Sequence, residues 1–249
     1  MKYKAIMLDL DDTTVAQGKE NLPSPVVTRA ISEAKKLIHI SVATARTLKD
    51  TLPVINHLSL TSPCVCTNGS QIYDPVTKKI IHEVILPADI IEPILELCRS
   101  HQLRVVVYDG IKDSVYDGSQ SHDKILTMYI PEVPIHKTDE YVKIFSIDPR
   151  IHVQKLNAWN KKYMSLDIAS SGASKLHGIV HVAKMLNLNM DEIIGVGDGY
   201  NDFPLLMACG LKIAMGNAVA ELKAIADFIA PTVDDDGVAT VIEKFVLTP

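Results

Sequence analysis

Three carboxylates and two hydroxyls fall within six residues, Asp9-Leu10-Asp11-Asp12-Thr13-Thr14, directly after an apolar run that begins at Ala5. Carboxylates this crowded repel one another unless a proton or a cation intervenes. A divalent metal is the economical expectation. Polar groups recur at similar junctions further on: Thr44 after residues 38–43, Lys175 at the opening of a helical pattern, and Asp198, Asn201 and Asp202 after residues 193–196. The set holds a candidate nucleophile, carboxylates for a metal, a hydroxyl and a cation. Those parts suit a transferring phosphoryl group, whose charge needs electrostatic clamping and an in-line nucleophile.

Such groups can converge only if the fold gathers their segments at one edge. The unbroken apolar run at the start reads as a buried parallel strand, and ligands of open α/β sheets bind at the carboxyl ends of the strands. Strand and helix then alternate. Ser24 and Pro25 open a predicted helix to about residue 37, with Val26, Ala30, Ile31, Ala34 and Leu37 on one face. Residues 38–43 form a short strand, and 47–58 a helix that Pro53 should kink or break. Residues 64–66 are a strand ending at Thr67-Asn68-Gly69-Ser70, and 71–83 a hairpin. The rhythm then changes. A helix from Pro87 and strands near 103–108, 115–116 and 125–130 precede a helix at 139–145. Residues 151–156 and 164–168 alternate apolar with polar, as in Met164, Leu166 and Ile168 against Ser165 and Asp167. Alternation predicts antiparallel sheet covered on one face only. From Ser174 the α/β pattern resumes to the end. The expectation is a three-layer, Rossmann-like α/β core with a mainly parallel sheet, residues 1–82 and 170–249, interrupted by an α+β domain at 83–169.

Whole-chain properties narrow the function. A formal net charge of -5 over 249 residues offers no electrostatic footprint for nucleic acid. No run reaches the roughly 18 apolar residues that span a membrane. The apolar run after Met1-Lys2-Tyr3-Lys4 breaks at Asp9, too early for a signal peptide, so a cytoplasmic protein is expected. Cys64, Cys66, Cys98 and Cys209 lack zinc-ligand spacing and read as small apolar residues in a reduced compartment.

The ordered motifs resemble those of the haloacid dehalogenase-like (HAD) phosphatases. Asp9-Leu10-Asp11-Asp12-Thr13 is similar to their nucleophile loop, Thr44 to their second motif, Lys175 to the third, and Gly197-Asp198 through Asp202 to the fourth. Met215-Gly216-Asn217-Ala218 and Asp236-Gly237-Val238-Ala239 resemble the Cof-type branch, in which a cap is inserted between the second and third motifs. The resemblance implies that Asp9 attacks phosphorus and that Asp11 is the acid/base and offers its backbone carbonyl to Mg²⁺. It implies that Asp198 is a metal ligand with Asp202 in support, and that Thr44 and Lys175 hold phosphate oxygens. Hard oxygen ligands fit Mg²⁺. Asp11 would then need a raised pKa from its anionic neighbours. Ala45 stands where the family usually has Gly, Leu176 where Gly often follows the Lys, and Tyr200 where Glu is common. The changes at 45 and 176 alter backbone freedom beside the phosphate and remove no functional side chain.

Plainer readings stand beside these. Asp9 and Asp11 suit a solvated turn, Thr44 a helix cap, Lys175 a surface position, and Asn201 and Asp202 a cap for the next helix. Asn68, in Thr67-Asn68-Gly69, is either a turn residue or a substrate contact. Gly195-Val196-Gly197-Asp198-Gly199 fails as a dinucleotide fingerprint because Tyr200 occupies its sixth position. His177 and His181 lie four apart with no third ligand nearby, and Asp234-Asp235-Asp236 lacks the alternation of a calcium loop. The expected function is a Mg²⁺-dependent phosphatase acting on a small phosphomonoester such as a sugar or polyol phosphate. A phosphosugar mutase on the same core and a non-catalytic phosphometabolite-binding protein are the alternatives.

Overall fold

A computed structural model describes residues 2–16, 21–118, 124–158 and 160–248. The opening apolar run is strand β1 (Ala5–Leu8), every residue of it buried. In chain order follow α1 (Pro25–Ala34), β2 (His39–Val42), α2 (Leu48–His57), β3 (Cys64–Cys66), β4 (Gln71–Asp74) and β5 (Lys79–Glu83). Next come α3 (Ala88–Ser100), β6 (Val106–Tyr108), β7 (Asp113–Val115), β8 (Thr127–Pro134), α4 (Ile135–Phe145), β9 (Ile151–Asn157) and β10 (Tyr163–Ser170). The chain closes with α5 (Lys175–Met185), β11 (Ile193–Gly197), α6 (Phe203–Ala208), β12 (Leu211–Ala214), α7 (Ala220–Ile225), β13 (Phe228–Ile229) and α8 (Gly237–Ile242).

The core sheet is parallel, in the order β13-β12-β11-β1-β2. Order reverses around β1, which pairs with β2 on one side and with β11, nearly the whole sequence away, on the other. That reversal is the switch point where open α/β sheets bind ligands. A parallel bridge from Ala43 to Val65 attaches β3, which continues as the antiparallel ribbon β3-β4-β5.

Several elements differ in extent from expectation. Helix α1 is capped by the Ser24 hydroxyl and ends at Ala34. Its inner face is Val27, Ala30, Ile31 and Ala34, while Val26 and Leu37 are exposed. The spacing from Val27 follows one helical stripe, whereas Leu37 lies in the turn beyond the last helical residue. Pro53 does not break α2, which runs from its Thr47 cap through His57 with Val54 and Ile55 buried. The strand expected at 103–108 is shorter because the Leu103 amide bonds Cys98 O at the end of α3. Pro134 starts α4 four residues earlier than expected, its φ of -55° suiting a helix entrance.

The inserted sheet is antiparallel in the order β7-β6-β8-β10-β9. One face carries its own apolar cluster against α3 and α4, including Ile91, Leu95, Ile130, Leu166 and Ile168. The opposite, polar face is not solvated as alternation suggested: Thr127, Gln154, Ser165 and Asp167 are all buried. The reason is tertiary. This face lies over the carboxyl ends of the core strands, with β9 against residues 200–202 and Asp167 bonded to Asn68.

Candidate active site

The Asp9 carboxylate sits one residue beyond β1, held by its own backbone: its amide donates to Val196 O at 3.0 Å and its carbonyl accepts from the Thr14 hydroxyl at 2.6 Å. Asp198 follows β11 in the adjacent strand and accepts from Thr13 at 2.9 Å. Asp202 reaches back over the same turn, where its Oδ2 accepts the Asp198 and Gly199 amides, each at 2.9 Å. A methyl group on Gly197 would stand 2.4 Å from Asp202 Cγ, so only glycine permits that approach.

Lys175 lies between two of these carboxylates. It is the first residue of α5, which Ser174 caps, and it is 0% exposed. Its Nζ donates to Asp9 Oδ1 and Asp202 Oδ1, both at 2.6 Å. Burial disfavours the ammonium, but the two carboxylates outweigh it and hold the Lys175 pKa above its ordinary value. Burial and the Asp202 charge push Asp9 up to about 7 against the pull of Lys175. Asp198 is also held well above the ordinary carboxylate range, by burial and by Asp9 and Asp202. One lysine thus pairs with two of the three carboxylates. Ligand oxygens of Asp9, Asp198 and Asp202 lie within 4.8 Å of one another, the only such group of three among the described residues. The excess negative charge, the burial and the all-oxygen donor set fit a hard divalent cation.

A pH prediction follows from the raised Asp9. A carboxylate with a higher pKa folded than unfolded binds more protons when folded, so its stabilisation falls as pH rises from about 4 to 7. Urea unfolding in chelator should therefore show the stability of Asp9→Asn gaining on wild type across that window. A constant difference would contradict the charge crowding.

The other expected residues are placed differently. Thr44 is buried at the end of β2 and accepts the Arg46 amide at 3.1 Å, while its carbonyl accepts the Asn68 amide at 2.9 Å. Ala45 is half-buried beside it. Asn201 donates to Asn68 Oδ1 at 3.1 Å, and Asn68 donates to Asp167 at 2.7 Å. The Asp11 side chain is exposed and does not join the buried carboxylates. Its two oxygens accept from Arg46, Nε at 2.9 Å and Nη2 at 2.6 Å. Arg46 follows Thr44 round the end of β2 and so comes within reach of Asp11.

His177 bonds Ser174 through Nδ1 at 2.8 Å, and the His181 ring stacks on His82 at 4.5 Å, so the two histidines do not share a ligand site. Asp236 takes a left-handed φ of 55° and accepts from Ser24, closing a loop.

Four supporting residues were not legible as such. Arg46 had its position after Thr44-Ala45 as its only signal. Asn217 donates to Asp12 O at 2.7 Å and so braces the acidic loop from 205 residues away. Gln154 lies on the inserted sheet directly opposite Asp167. Gly69 has a φ of +102°, and a Cβ there would stand 2.1 Å from Ser174 O. The Lys175 helix therefore starts against a glycine. Gly69→Ala should cost about 2 kcal/mol or more, read by urea unfolding, and reduce activity by displacing Lys175.

Comparison with known proteins agrees with this arrangement. The family model for haloacid dehalogenase-like hydrolases matches residues 6–155 and 121–242. A 5-amino-6-(5-phospho-D-ribitylamino)uracil phosphatase of Bacillus subtilis is 28% identical over 98% of this chain and 96% of its own. A pyridoxal phosphate phosphatase of Escherichia coli is 23% identical over 99% of this chain and all of its own length (100%). A haloacid dehalogenase-like hydrolase structure from B. subtilis superposes with a TM-score of 0.84 at 21% identity, covering 97% of this chain and 99% of that one. With the site on the edge of β1, β2 and β11 and an inserted sheet above it, the chain belongs to the haloacid dehalogenase-like hydrolase family, in its Cof-type branch.

Proposed function

We propose that this phosphoric monoester hydrolase is Mg²⁺-dependent and cleaves a small phosphomonoester, of sugar or polyol type, through an aspartyl-phosphate on Asp9. The observation that carries the reading is the buried cluster of Asp9, Asp198 and Asp202, in which one lysine bridges Asp9 and Asp202. The side chains of Asp9 and Asp198 and the Asp11 carbonyl would hold the ion, and Asp202 supports them through Lys175 and the 198–199 amides. When bound, Mg²⁺ supplies charge neutralisation for the phosphoryl oxygens.

Asp9 is restrained by Lys175, which leaves Oδ2 as the attacking atom. An Asp9 Oδ–P bond forms as the P–O bond to the leaving group breaks, and the alkoxide takes a proton from Asp11. Water then attacks phosphorus, gives its proton to Asp11, and releases phosphate and free Asp9. Thr44 and Lys175 would hold the non-reacting phosphoryl oxygens, with the Ala45 backbone beside them. Asp11 leaves Arg46 and takes a proton from solvent before it acts as the acid, and we assign Arg46 the holding of Asp11 between turnovers. The polar face of the inserted sheet excludes water from the reacting centre.

Hydrolysis rather than mutase or sensor activity is tested by incubation with a panel of phosphomonoesters and with para-nitrophenyl phosphate. Free phosphate released with Mg²⁺ and lost with chelator supports the reading. Isomerised sugar phosphate without free phosphate would support the mutase, and binding without turnover the sensor. No helix among the described residues is long and apolar enough to cross a membrane.

A further inference from the structure

The buried side-chain atoms without a hydrogen-bond partner, among the described residues, belong to Thr67, Ser70 and Gln154. Thr67 and Ser70 flank Asn68 on the core, and Gln154 stands on the sheet above. Gln154 is the extreme case: it is 7% exposed, and both its amide nitrogen and its amide oxygen lack a partner. A buried amide left unpaired costs about 1–3 kcal/mol, so a fold keeps one where a ligand pairs it. Its position supports this. Gln154 is the register partner of Asp167, so the two side chains share the polar face. Asp167 in turn contacts Asn68, whose amide bonds the Thr44 carbonyl. The pair is therefore joined through Asn68 to Thr44, at the edge of the core where β2 ends.

The chemistry of the pair selects the ligand. Gln154 offers N–H donors and a carbonyl acceptor, and Asp167 is an acceptor that already takes Asn68 and Thr127. A hydroxyl can donate to Asp167 or to Gln154 Oε1 and accept from Gln154 Nε2, so adjacent hydroxyls satisfy every group. A carboxylate or second phosphate has acceptors only and would face Asp167 with like charge. The buried polar residues of this face are Thr127, Gln154, Ser165 and Asp167, with no lysine or arginine among them. Resting on the phosphatase reading, we propose that Gln154 and Asp167 determine specificity for a neutral, polyhydroxylated leaving group and against an anionic one. Core and cap are closed on each other, so a leaving group entering the seam replaces the Asn68–Asp167 bond and supplies the partners Gln154 lacks.

Gln154→Met keeps length and removes both polar atoms, and Asp167→Asn keeps shape and removes the charge. kcat/KM would be measured for ribitol phosphate, phosphoglycerate and para-nitrophenyl phosphate. Gln154→Met should lower the ribitol-to-aryl ratio about tenfold, the loss of roughly one good hydrogen bond. Its Tm should be no lower than wild type, because an unpaired polar group has been removed from the unliganded protein. Asp167→Asn should raise the phosphoglycerate-to-ribitol ratio about tenfold. An unchanged ribitol-to-aryl ratio, or a Tm that falls in Gln154→Met, would overturn the proposal and show Gln154 to be structural. Absence of any aryl phosphate turnover in wild type would instead sink the phosphatase reading. Calorimetric binding of ribitol phosphate to Asp9→Asn, with and without Gln154→Met, then decides the inference: tighter binding when Gln154 is present supports it, and equal or no binding overturns it.

Discussion

Asp9→Asn should abolish turnover while making the metal-free protein more stable. Loss of a nucleophile that forms a covalent intermediate costs on the order of 10⁴-fold or more in kcat, and no neighbour can replace it. Asp198 and Asp202 are buried and committed to Thr13, Lys175 and backbone amides, and Asp11 is turned to Arg46. Stability should move the other way. Three carboxylates crowd together and Lys175 pairs with two of them, so neutralising one relieves repulsion that Lys175 does not cancel. The assay is phosphate release with Mg²⁺, paired with thermal unfolding in chelator. Residual activity within about a hundredfold of wild type would exclude Asp9 as the nucleophile. A fall in the metal-free Tm would show that the Asp9–Lys175 pair outweighs the crowding.

Lys175→Met should be the most destabilising single change at the site. Lys175 is wholly buried and donates to two carboxylates, and Asp202 is wholly buried as well. Removing one partner of a buried ion pair leaves uncompensated charge and typically costs about 3–5 kcal/mol. For a chain of this size that corresponds to a Tm lower by roughly 10 °C. Mg²⁺ should restore part of it, because the cation supplies positive charge to the same carboxylates. Thermal unfolding at pH 8 with and without Mg²⁺ measures both effects. A loss under about 1 kcal/mol in chelator would mean that the carboxylates take up protons in place of the lysine. Turnover should be lost in either case, since Lys175 holds the Asp9 carboxylate in place.

The core was legible because its signals are local. An apolar run ending in acids, a Ser-Pro helix start and a strand ending in Gly-Asp each report their own structure through steric and capping preferences. Signals of this kind placed β1, β2, β11 and α5, and with them the edge on which Asp9, Thr44, Lys175 and Asp198 meet. Helix ends were less legible. Leu37 continues the apolar pattern of α1 past its last turn, and Pro53 sits in a helix whose packing outweighs one missing hydrogen bond.

What alternation could not report is what covers a polar face. Ser165 and Asp167 looked like the solvated side of a sheet, and only the docking of that sheet on the core buries them. The partner of Asp11 was hidden for the same reason. Arg46 lies 35 residues from it, and the contact depends on how two strand ends turn beside each other. Residue order by itself determined the parallel core, the acidic loop at its edge and the chemical class of the groups gathered there, because each follows from short-range spacing. The tertiary structure decided that Asp11 rests on Arg46, that Gly69 seats the Lys175 helix, and that Asp167, with Gln154 opposite it, is buried against Asn68 of the core. Those are contacts between segments tens of residues apart, set by how the core strand ends turn beside one another and how the inserted sheet docks on them, and unreadable from any local pattern.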